Sequence, residues 1–105
     1  MSAVARLQRW YAAQCNGAWE HQHGVSIVSC DNPGWWVKVE LAGTPLLGVA
    51  FAEVAVAVDA NRHPVGPSWL SCRVEDGVWH GAGDAQKLEI ILETFLSWAE
   101  SQSSP

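Results

Sequence analysis

The chain has 105 residues, 49% of them hydrophobic and 16% charged, and a formal net charge of -5. That balance belongs to a packed globule with a single core and is too apolar for a disordered segment. The six Lys and Arg form no cluster in sequence, which argues against direct nucleic-acid binding; an acidic surface instead favours encounter with a basic partner and aids solubility.

The longest apolar stretches, Leu46–Ala52 and Val54–Val58, are broken by Gly48 and Glu53 and fall far short of the roughly 20 residues of a membrane helix. Met1–Trp10 lacks the apolar run of a secretory signal. One cytoplasmic domain over residues 1–105 is expected, with a frayed tail at 101–105. Cys15, Cys30 and Cys72 cannot all pair within one chain, and free thiols in a reducing compartment are the expectation.

The first predicted element is a helix. Val4, Leu7, Tyr11 and Gln14, with Trp10 beside them, follow the spacing of one buried face, Ser2 can cap the start and Asn16-Gly17 supplies the stop. The polar run Trp19–His23 reads as a loop into the first strand. From there the period changes to two, and turn signals cut the segment into strands near Val25–Cys30, Trp35–Leu41, Val49–Val58, Trp69–Glu75 and Val78–Gly81. Asn32-Pro33-Gly34 marks the first hairpin and sets Val25, Ile27 and Ser29 across from Leu41, Val39 and Val37. A change of phase at Ala52-Glu53 suggests a bulge, and His63–Pro67 must be a loop. Asp76-Gly77 marks the last hairpin, because both residues tolerate the positive φ of a type I′ turn. The chain ends on a helix with the stripe Leu88, Ile91, Leu92, Phe95, Leu96 and Ala99, for which Asp84 is the expected N-cap.

These elements predict an α+β fold: a five-stranded, mainly antiparallel meander sheet with both helices on one face. The turn at Asp76-Gly77 sends Trp79 inward with Leu70, Cys72 and Val74. Trp69, Arg73, Glu75 and His80 take the other side, joined from the first hairpin by Trp36, Lys38 and Glu40. Seven tryptophans are the unusual feature of the composition. Most belong to the core, whereas Trp36 and Trp69 on an open sheet beside charged neighbours read as a docking surface.

Catalytic chemistry finds little footing. No arginine follows any cysteine at the spacing of an anion-holding thiol loop. His21 and His23 could share one side of an extended segment and hold a metal with Glu20 or Cys30, but one such pair falls short of the three or four ligands of a zinc site. Gly81-Ala82-Gly83 lacks the lysine and spacing of a P-loop and reads as a tight exit into the last helix. No enzyme activity and no cofactor are expected.

The blocks Trp10-Tyr11, Gln14–Gly17, Trp19–His21 with Gly24, and Asp31–Trp35 with Val37-Lys38 resemble the immunity protein 53 family of bacterial polymorphic toxin systems. Trp69-Leu70, Cys72–Gly77, Gly81–Gly83 and the Leu88-Glu89, Ile91-Leu92, Phe95-Leu96, Trp98 pattern resemble the same family in the same order, and the resemblance lends nothing to Pro45–Pro67. The resemblance implies a cytoplasmic antidote that binds a cognate protein toxin and neutralises it by occlusion. The alternatives from the residues alone are a small-molecule or carbohydrate-binding module stacking its ligand on Trp36 and Trp69, and a metal-dependent enzyme on His21 and His23.

Overall fold

The structure is a computed structural model and describes residues 1–31 and 33–102. In chain order it contains α1 (Ala3–Gln14), α2 (Trp19–Gln22), β1 (Val25–Cys30), β2 (Gly34–Glu40), β3 (Val54–Val56), β4 (Leu70–Glu75), β5 (Val78–Asp84) and α3 (Leu88–Gln102). The fold is α+β, with all five strands antiparallel in one sheet of order β1-β2-β5-β4-β3. The order departs from a simple meander at one point: β2 borders β5, so the chain after Glu40 crosses from the middle of the sheet to its far edge before β3, in a Greek-key arrangement.

That crossing explains why the predicted strand Val49–Val58 shrinks to Val54–Val56. Leu46, Val49 and Phe51 pack against the core from irregular backbone. Phe51 lies 5.9 Å from the Trp79 ring and 5.1 Å from that of Trp98, and Trp98 Nε1 donates to the Ala50 carbonyl at 2.9 Å.

The first hairpin pairs Val25 with Val39, Ile27 with Val37 and Ser29 with Trp35, two residues away from the predicted register. A slip of two keeps every side chain on its predicted face, where a slip of one would have inverted them all. The expected turn residue Asn32 lies outside the described residues. The second hairpin turns at Asp76 (φ 53°) and Gly77 (φ 75°) as expected and pairs Arg73 with His80 and Val74 with Trp79.

One face of the sheet carries the core. Val37, Val39, Cys72 and Trp79 are fully buried there beneath Ile91, Leu92, Phe95 and Leu96 of α3. The helix lies close because β5 presents glycine to it. A Cβ on Gly81 would stand 2.5 Å from Ile91 Cγ2, and one on Gly83 would stand 2.6 Å from Lys87 Cβ. Gly81-Ala82-Gly83 is therefore strand rather than an exit into the helix.

Helix α1 lies on the same side but packs on α3. Trp10 meets Phe95 edge to face at 5.0 Å, and Arg6 forms a forked pair with Glu100 (2.9 and 2.8 Å) and a further bond to Glu93 at 2.7 Å. Ser2 caps α1 by accepting from the Ala5 N–H at 3.1 Å. The buried face of α1 is rotated from the predicted one: Ala3 and Leu7 face inward with Trp10, whereas Val4 is 60% exposed. Docking on a helix rather than on the sheet selected that face.

Asp84 does not cap α3, which begins at Leu88. Its Oδ1 accepts from Gln86 N–H at 2.9 Å, an Asx turn, and its Oδ2 accepts from Trp69 N–H at 2.9 Å and from Lys87 Nζ at 2.7 Å. At the other end, Ser101 and Gln102 belong to α3; the remainder of the expected frayed tail lies outside the described residues.

Candidate functional site

With α1 and α3 on the core side, the opposite face of β1, β2, β5 and β4 displays the alternate residues in rows. The pairing aligns Ser26, Lys38, His80 and Arg73 in one row and Val28, Trp36, Ala82 and Ser71 in the next. At the far side of the first row, Glu40 opposes Val78, which opposes Glu75. Six of the predicted contact residues, Trp36, Lys38, Glu40, Arg73, Glu75 and His80, thus share one face.

Their side chains are mutually braced. Trp36 is 40% exposed and lies against His80 with ring centroids 6.2 Å apart, while Lys38 Nζ stands 4.9 Å over the Trp36 ring. Arg73 Nε faces Glu75 Oε1 at 3.4 Å. Burial and the charges of Arg73, Lys38 and Arg62 hold the His80 imidazole below its ordinary pKa, with Glu75 opposing them.

Trp69 differs from expectation. It belongs to the open side, but only 9% of it is exposed, and its ring approaches Gly34 so closely that a Cβ there would lie 3.3 Å from Trp69 Cζ2. The glycine opposite leaves room for the ring to lie down on the sheet. Its backbone N–H is held by Asp84 at 2.9 Å. Trp69 therefore lies on this side as a buried ring rather than an exposed one.

His21, Gln22 and His23 end a short helix rather than a loop, because Glu20 accepts the N–H groups of Asn16 (3.0 Å) and Gly17 (2.8 Å) and so nucleates α2. This segment walls an open cleft of about 540 Å³ whose floor is Ser26, Lys38, Glu40, Val78 and His80. Glu40 closes the corner: it accepts from the Gly24 N–H at 2.9 Å and meets His23 Nδ1 at 3.3 Å. Among the described residues no group of three or more His, Cys, Asp and Glu is placed to hold a metal. Cys72 is fully buried, which pushes its thiol up to about 12, and Cys15 and Cys30 are free thiols.

Sequence reasoning missed the cleft wall and Arg62. The wall needs α2 folded back over the start of β1. Arg62 sits in a loop at φ 65°, and no periodicity connects that loop to β5. No helix among the described residues is long and apolar enough to cross a membrane.

The fold and face define an α+β protein whose antiparallel sheet carries α1 and α3 on one side and presents an aromatic and charged surface on the other. The chain belongs to the Immunity protein 53 family, whose sequence model matches residues 4–100. Comparison with curated proteins and with solved structures gave no match.

Proposed function

We propose that the chain is a non-catalytic immunity protein that acts in the cytoplasm by binding a cognate bacterial toxin and neutralising it by occlusion. Family membership supplies the class of partner. The observation that carries the reading is the face itself: a half-exposed Trp36 set among Lys38, Glu40, Arg73, Glu75 and His80 on hydrogen-bonded strands. A rigid surface loses little conformational freedom on docking, and exposed tryptophan is the residue type that most often anchors an interface. The carbohydrate-binding alternative keeps only one of its two stacking rings, since Trp69 is covered.

Co-expression with a candidate toxin domain taken from the gene's neighbourhood tests this reading. Wild-type chain restores growth and co-purifies with the toxin, and Trp36→Ala weakens both. A toxin that kills equally with and without the chain, and shows no complex, refutes it.

A further inference from the structure

Three of the six Lys and Arg side chains, Lys38, Arg62 and Arg73, act on one imidazole, that of His80. In a chain of net charge -5 this gathers half of the Lys and Arg side chains around one ring, with Glu40 and Glu75 at its side. The strand pairing brings it about, because Lys38 and Arg73 are the direct neighbours of His80 on either side, where cross-strand Cβ atoms are about 5 Å apart.

The nearby carboxylates are already engaged, Glu75 with Arg73 and Glu40 with His23 and the Gly24 N–H. Lys38 and Arg62 have no carboxylate partner among the described residues, whereas Arg6 and Lys87 elsewhere in the chain are paired. His80 Nδ1 is buried and has no hydrogen-bond partner among the described residues. A buried lone pair is tolerated better than a buried orphan N–H, which favours the Nε2–H tautomer of the neutral ring.

We infer that the cleft over His80 receives a carboxylate, an Asp or Glu side chain projecting from the partner protein, held by Lys38 on the cleft floor and hydrogen-bonded by His80 Nε2–H, with the Arg73–Glu75 pair on the neighbouring strand beside it. The inference rests on the reading that this face meets a protein partner, and it specifies the partner's chemistry. The field of the whole chain remains acidic, so the matching surface is basic around one protruding acidic residue, a pattern that fixes orientation as well as attraction.

Two experiments test it. In the first, the free protein is titrated with the blocked tripeptide Gly-Asp-Gly, with Gly-Asn-Gly and with inorganic phosphate, and followed by NMR. The Asp peptide shifts resonances at Lys38, Arg73 and His80 and raises the pH midpoint of the His80 imidazole, since a bound anion favours the imidazolium. The Asn peptide does neither, Lys38→Gln with Arg73→Gln abolishes the response, and Arg9→Gln on α1 retains it. No localised shift, or equal shifts from the Asn peptide, overturns the inference; a stronger response to phosphate overturns it in favour of a phosphorylated ligand.

In the second, the toxin domain is titrated against the variants. Lys38→Glu weakens binding by roughly 30-fold or more, the loss associated with removing one partner of a desolvated charge pair. Toxin that binds Lys38→Glu as tightly as wild type overturns the carboxylate but leaves the immunity reading standing. Toxin that binds no version overturns the immunity reading, and the peptide titration then decides the cleft by itself.

Discussion

Gly81→Ala probes the contact on which the site face depends, the seating of α3 against β5. The added Cβ would lie 2.5 Å from Ile91 Cγ2 and 2.5 Å from the Trp79 ring, about 1 Å or more inside the ~3.5–4.0 Å optimum for carbon atoms. Both neighbours are fully buried, so neither has free space to retreat into. Overpacking of this kind costs about 1–3 kcal/mol, and replacing glycine within a strand returns about 0.5–1 kcal/mol of chain entropy. A net loss of about 1–2 kcal/mol follows, seen as a fall of roughly 5–15 °C in melting temperature for a domain of this size. Ile91→Ala in the same chain removes the methyl that collides. The double variant should therefore lose about 0.5–3 kcal/mol less than the sum of the two single variants. Calorimetric melts of the four proteins measure the cycle. If Gly81→Ala melts at or above wild type, or the two losses simply add, α3 does not rest on Gly81 and the packing described above is wrong.

The two outer tryptophans should separate by role. Trp69→Ala loses roughly 3–5 kcal/mol of stability in a urea titration because its ring is buried, whereas Trp36→Ala loses about 1 kcal/mol or less and weakens toxin binding by about 2 kcal/mol or more. The Cys72 thiol, fully buried with its pKa raised to about 12, should resist alkylation in the native state, with Cys15 and Cys30 reacting first; mass spectrometry of the labelled peptides decides. The Asp84 carboxylate is held down to about 2 by Lys87 and by the Gln86 and Trp69 N–H groups, from an ordinary 3.8. A depressed carboxylate contributes its full stability above the unfolded value and loses it as pH falls through the folded one. The advantage of wild type over Asp84→Asn should thus be constant above about pH 5 and shrink between about pH 4 and 2, and urea midpoints that differ equally at pH 6 and pH 2.5 would contradict the assignment.

Local pattern was enough for much of this protein. The two-residue period carried the bounds of β1 and the inward placing of Leu70, Cys72 and Trp79, although Val74, expected with them, is 37% exposed. Asp76-Gly77 announced its turn because few other pairs accept two positive φ values, and the Leu88–Ala99 stripe announced the buried face of α3. Even the first hairpin, two residues out of the predicted register, kept Trp36, Lys38 and Glu40 on the open side, since faces repeat every second residue.

Tertiary structure decided what covers what. The placement of β2 beside β5 put Lys38 next to His80, yet neither strand's sequence names the other as a neighbour. Trp69 alternates as an exposed residue and is buried because Gly34, on a different strand, leaves a hollow for its ring. The inner face of α1 was set by α3 rather than by its own stripe. Arg62 reaches the field of His80 through a loop with no period to read. Alternation is dictated by bonds along the chain and is legible there; burial depends on which distant segment arrives opposite, and that is settled only when the whole core packs.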